Sequence, residues 1–352
     1  MTNKTRLLSE QLEVDESADA ASQLFYEKGW TDGLPIVAPT EERVLRALSS
    51  VNRDPQELIA TLPPLNGSAT VEKIAVNAVM AGCLPEYLPV VIAAVESITD
   101  EKFGILAIQT TTHPCGALVV INGPIAKKLG INGGASAFGP GGRANATIGR
   151  ALRLIMLNVG GAVPGEVDKS TQGQPAKYTY CVAENEEQNP WQPLHVERGF
   201  NMDDSTVTVF AAEGPHNIHE SESLTGKGIL MTAAGTMATP GNNNLWTFMG
   251  EPLLVLCPEH AKRLAEDGFS KNDIKDFIFE YARFPLNRMP EEQIMARKKG
   301  GKEMYGDFVE SEYVPLAKRE NIVVLVVGGD GKHSCFIPTF GPSYSATKLI
   351  RG

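Results

Sequence analysis

One segment of this chain occurs twice without a gap. Leu118-Val-Val-Ile-Asn-Gly-Pro-Ile-Ala-Lys-Lys-Leu129 aligns on Leu253-Leu-Val-Leu-Cys-Pro-Glu-His-Ala-Lys-Arg-Leu264, 135 residues further on. Each copy opens with four apolar residues, the mark of a strand covered on both faces. A proline-bearing turn follows, and then an amphipathic helix. Either the chain contains two related α/β units, or two unrelated segments have converged on a common strand–turn–helix unit. The expected fold is α/β, with two related units whose sheets are largely parallel or mixed, preceded by an N-terminal helical arm. Loops at the carboxyl ends of such strands are where sites usually lie.

Composition narrows the function classes. The 352 residues are 42% apolar and 21% charged, with a net charge of −10. That is too apolar and too weakly charged for a disordered chain. The longest apolar run, 151–159, is broken by Arg153 and Asn158 and falls short of a bilayer span. No basic block points to nucleic acid or an anionic membrane as a partner. The five cysteines are an odd number with no CxxC pair, which reads as reduced thiols in a cytoplasmic protein. The first residues carry no apolar stretch of a secretory leader.

The expected organisation is an arm and helix over 1–65, a first α/β unit over 66–165, a Pro-, Gln- and Glu-rich connection over 166–200, and a second unit over 201–352. Helices are expected over 18–26, 40–48 (with Thr40 as N-cap), 71–80 and 88–98. Strands are expected over 104–109, 117–121 and 321–327. Trp30, within Gly29-Trp-Thr-Asp-Gly-Leu-Pro35, reads as a lid or staple on the body.

Three features carry candidate chemistry. The glycine-rich segment 130–150 runs into a long apolar helix. Its amides, with Gly141, Gly142, Arg143 and Asn145, suit a polar or anionic group, although the glycine spacing fits neither a P-loop nor a dinucleotide fingerprint. Two His/Cys triplets, His113-Pro-Cys115 and His333-Ser-Cys335, follow buried strands. In each, a histidine stands ready to lower the pKa of a thiol, and Lys332 adds a cation beside the second. Glu213-Gly-Pro-His-Asn-Ile-His-Glu220 offers His216, His219 and Glu213 as an alternative divalent-metal set, with no metal favoured.

Taken together, Trp30-Thr-Asp-Gly-Leu-Pro35, Asn122-Gly-Pro124, Gly142-Arg-Ala-Asn-Ala-Thr-Ile-Gly-Arg150 and Gly331-Lys-His-Ser-Cys335 resemble a poorly characterised bacterial family related to the UGSC-type selenoproteins. These are named for a selenocysteine-Gly-Ser-Cys motif. If Ser334-Cys335 matches its last two residues, Lys332 and His333 stand where the selenocysteine and glycine would be. The resemblance implies an enzyme-like body with a candidate residue at Cys335. The expected function is an enzyme that cleaves or reduces a carbon–heteroatom bond of a small polar or anionic substrate with a thiol. Its catalytic candidates are Cys335, His333, Cys115 and His113. The alternatives are a metal-dependent hydrolase or lyase and a non-catalytic subunit of a complex. A homo-oligomer is expected, with a redox protein as a further partner, and no cofactor is specified.

Overall fold

The computed structural model describes residues 6–14, 17–305 and 311–351. In chain order its strands are β1 (Leu58–Leu62), β2 (Gly67–Thr70), β3 (Gly116–Asn122), β4 (Cys181–Ala183), β5 (Thr206–Ala212), β6 (His216–His219), β7 (Leu253–Leu256), β8 (Arg283–Pro285), β9 (Tyr313–Pro315), β10 (Val323–Val326), β11 (His333–Ile337) and β12 (Ala346–Leu349). Two mixed four-stranded sheets, β12-β5-β3-β4 and β10-β7-β11-β6, make the body of an α/β fold. β1 with β2 and β8 with β9 form small antiparallel pairs.

Alternation along the strands sets the layering, because residues i and i+2 share a face. Val119 and Ile121 pack with the helices Val71–Ala81, Leu88–Ile98 and Arg143–Asn158. Leu118 and Val120 point the other way, against Leu253, Val255, Val323 and Leu325 of the second sheet. Leu254, Leu256, Val324 and Val326 then meet the helices Gly226–Met237, Pro258–Glu266 and Lys271–Tyr281. The layers therefore run helix, sheet, sheet, helix. Strands expected to be covered on both faces are covered, and one of the two covers is the other sheet. Among the described residues no helix is long and apolar enough to cross a membrane.

The two sheets repeat one pattern. β3 lies parallel to β4 and antiparallel to β5, and β7 lies parallel to β10 and antiparallel to β11. Leu118 opposes Phe210 as Leu253 opposes Ile337, so the register repeats as well. After β5 the chain passes Gly214-Pro215 and enters the second sheet as β6. After β11 it passes Gly341-Pro342 and enters the first sheet as β12. Each four-stranded sheet thus takes its edge strand, β6 or β12, from the chain just leaving the other. Where the two crossings meet, Ala212 bridges Thr339, Glu213 N–H donates to Pro338 O at 2.8 Å and Phe340 N–H donates to Ala211 O at 2.8 Å. These two bonds exchange under a local twofold rotation.

Two expectations need correction. Residues 104–109 are not a strand, because Ile105–Thr110 is a helix entered through Gly104 at φ +67°. Ile105, Ile108 and Gln109 are buried while Leu106 is exposed, which is helical spacing in a segment too short for a clear period. The division at residue 200 fails too, since β4 lies inside the supposed connection and β5 and β12 pair into the first sheet.

Candidate functional site

At the carboxyl end of the parallel pair β3/β4 lies a cleft of about 590 Å³. Its walls are Gly123 and Pro124 after β3, Glu184 to Gln188 after β4, Gly133 and Gly134 of the glycine loop, and Met202 with Asp203. The loop and the turn after β4 tie the ends of the two sheets together. Gly328 N–H donates to Gly133 O at 2.8 Å, and Asn185 N–H donates to Val326 O at 2.8 Å. A Cβ on Gly133 would stand 2.6 Å from Ala183 O, so only glycine lets the loop lie this close to β4.

Asn145 clasps the loop. Its Oδ1 accepts from Asn132 N–H at 2.8 Å, and its Nδ2 donates to Asn132 O at 2.8 Å and Cys181 O at 3.1 Å. Asn145→Ala leaves these buried backbone groups unpaired. It is expected to cost about 2 to 3 kcal/mol, by the usual penalty for unsatisfied buried polar groups, read from the urea midpoint.

Acidic groups dominate the cleft. Glu184 is fully buried and accepts from Asn122 Nδ2 at 2.7 Å, Asn189 Nδ2 at 2.9 Å and Leu194 N–H at 2.8 Å, with Lys271 Nζ at 3.7 Å. Burial raises its pKa, opposed by Lys271, Leu194 N–H and Asn122. Glu186 is partly exposed in the cleft wall. Its Oε1 accepts from Gly123 N–H at 2.7 Å and Asn122 Nδ2 at 2.8 Å. Behind it, fully buried His195 sets Nε2 against Met202 O at 3.3 Å and turns an unpartnered Nδ1 toward Glu186 Oε1 at 3.8 Å. A carbonyl only accepts, so Nε2 carries a proton, and in the neutral ring Nδ1 is an acceptor. The one cation in the lining, Lys127, is paired with Glu187 at 2.7 Å.

The residues singled out in the sequence do not gather here. Cys335 lies on β11 opposite Val255 and Asn217, and burial pushes its thiol up to about 12. Cys115 is buried with its thiol likewise at about 12. His113 turns to Glu213, Nε2 to Oε1 at 2.7 Å, and lays its ring against Phe340. His333 stacks on His219 with ring centroids 4.7 Å apart. Lys332 Nζ donates to Ser221 O at 2.8 Å. Gly141, Gly142 and Arg143 open the helix Arg143–Asn158 outside the cleft lining, and the charge of Arg143 acts on Cys83 and Tyr87. Asn145 is a clasp for the loop. His216 and His219 are three apart on β6 and face opposite sides, which breaks the proposed metal set. Among the described residues, no three His, Cys, Asp or Glu groups come together as a metal ion needs.

What the sequence reading missed is Glu184, Glu186 and His195, which it placed in a polar connection. Asn122-Gly123 was visible, but as a turn. No known family, curated protein or solved structure matches this chain.

Proposed function

We propose that the chain is an enzyme that binds a small molecule rich in hydrogen-bond donors, an amine or an amino alcohol, in the cleft after β3 and β4. Glu186 acts as its general base. The observation that carries this reading is the setting of Glu186. Gly123 N–H and Asn122 hold Oε1, and Oε2 has no protein partner among the described contacts. Fixing one oxygen aims the other into the cleft. The lining carries the Glu184, Glu186, Glu187 and Asp203 carboxylates against one lysine, Lys127, which is itself paired with Glu187. Such a wall repels an anion and suits a cation or a neutral donor. The anionic substrate expected from Arg143 is therefore set aside. So is the thiol chemistry expected of Cys335 and Cys115, whose thiols burial holds near 12.

Calorimetric titration with 2-aminoethanol, glycerol and glycolate tests the charge preference. The amino alcohol is expected to bind and the carboxylate to be excluded, whereas glycolate binding best would sink the reading. With an amine substrate in hand, Glu186→Gln should lower kcat by roughly 10²- to 10⁴-fold at similar KM, since it keeps the Oε1 contacts and removes the base.

We also infer that the halves arose by duplication, with the shared strand order, the shared register and the 118–129/253–264 match in support.

A further inference from the structure

The position aligned with Asn122 in the second half is Cys257, at the carboxyl end of β7, and it carries a different constellation. Cys257 is the N-cap of the helix Pro258–Glu266, and His260 lies in that helix's first turn. Ser334 of β11 stands between them. Its Oγ accepts from Cys257 N–H at 3.1 Å and lies 2.7 Å from His260 Nδ1 and 3.7 Å from Cys257 Sγ. His260 Nε2 donates to Glu220 O at 2.9 Å. All three residues are buried.

The hydrogen bonds close in two ways. With a thiol and a neutral imidazole, S–H donates to Ser334 Oγ and the hydroxyl donates to Nδ1. With a thiolate and an imidazolium, Nδ1–H donates to Oγ and the hydroxyl donates to sulfur. Both use every partner equally, so a proton crosses from Cys257 to His260 without breaking the network. We propose that Cys257 is a nucleophilic thiol, ionised through Ser334 onto His260, that reacts with hydrogen peroxide.

A buried sulfur admits only a small neutral oxidant. The thiolate attacks one peroxide oxygen, so that the S–O bond forms and the O–O bond breaks. The leaving hydroxide takes the proton held on His260, through Ser334, and departs as water. Cys257 is oxidised to the sulfenic acid and the peroxide is reduced.

The charged surroundings agree with this. Burial raises the Cys257 thiol, but His260 and Ser334 outweigh it and leave it below its ordinary value. Burial lowers His260, while Cys257 and Glu220 raise it above its ordinary value. The Glu220 carboxylate is held at about 2 by the Thr232 hydroxyl and Ser223 N–H, so it stays charged. Glu259 accepts from Gly331 N–H at 3.1 Å, and Lys332 turns away to Ser221 O. Cys335 is the other thiol nearby, and its ionisation is opposed by Cys257.

The test treats the reduced full chain with hydrogen peroxide and dimedone at pH 6, 7 and 8, and quantifies each thiol by mass spectrometry. Cys257 is expected to label at least tenfold faster than Cys335, Cys115 or Cys181, with a rate nearly flat across these pH values. His260→Gln and Ser334→Ala should each slow it at least tenfold while Cys335 stays unlabelled. Were a variant to unfold, Cys335 and Cys181 would label as well, and the wild-type profile alone then decides. Wild-type Cys257 labelling no faster than Cys335, or rising tenfold per pH unit, overturns the proposal.

Discussion

Arg150→Ala is expected to remove about 3 to 5 kcal/mol of folding stability, the usual cost of stripping one partner from a buried ion pair. Arg150 grips Asp32 with two parallel bonds, Nε to Oδ2 and Nη2 to Oδ1, both at 2.8 Å. The same guanidinium reaches Leu34 O at 3.2 Å and Pro35 O at 2.9 Å. The Asp32 side chain is only 5% exposed, so without Arg150 its charge sits desolvated. This clamp joins Trp30-Thr-Asp-Gly-Leu-Pro35 to the helix that carries Arg150. Asn158 Nδ2 adds a bond to Trp30 O at 3.1 Å, which pins the arm to the same helix. The check is urea unfolding of Arg150→Ala beside Arg143→Ala, whose exposed side chain is expected to cost under about 0.5 kcal/mol. Adding Asp32→Asn to Arg150→Ala should recover part of the loss, because it discharges the stranded carboxylate. A loss below about 1 kcal/mol for Arg150→Ala would show that the arm is not held this way.

How much of this was legible in the sequence depended on how local each signal was. The buried strands β3, β7 and β10 were readable because each is an unbroken apolar run followed by turn residues. The helices capped by Thr40 and Thr70 were readable for the same reason, their stop and start signals lying within a few residues. β4 was not, because three residues inside a polar stretch carry no period. The exchange of β6 and β12 was also hidden, since nothing local in a four-residue strand names its partner sheet.

The site divides in the same manner. The glycine loop was visible, and at Gly133 its glycine serves close approach of chain to chain, against Ala183. Arg143 drew notice because Gly-Arg at a helix start suits an anion. The helix instead presents Asn145 inward, to fasten the loop. Cys257 escaped because its chemistry rests on Ser334, 77 residues away. The cysteines with a histidine two residues before them, Cys115 and Cys335, lie where burial holds the proton on sulfur.

Deletion of residues 343–352 is expected to have the largest effect of all, leaving a chain that does not accumulate as a folded monomer. The segment holds β12, the strand lent to the first sheet, and its loss bares the edge of β5, whose seven residues are all buried. It also removes Ser343 Oγ from Phe103 O (2.8 Å), Tyr344 N–H from Lys102 O (2.9 Å), Lys348 from Asp100 (2.7 Å) and Ile350 N–H from Ser205 O (2.8 Å). Glu251 loses both bonds from Ser345 and keeps Arg198 at 3.1 Å. At about 1 kcal/mol per lost bond and more for the under-paired carboxylate, the total rivals the whole stability of an ordinary domain. A bare, apolar edge also invites pairing between chains, so the truncated protein should aggregate. The decisive measurement adds a synthetic 343–352 peptide to the truncated chain during refolding. Because β12 pairs by backbone bonds along an open edge, the peptide should restore a soluble monomer and a cooperative melt. A truncated chain that melts within about 1 kcal/mol of the full one, with no need of the peptide, would mean that the strand exchange is incidental to the fold.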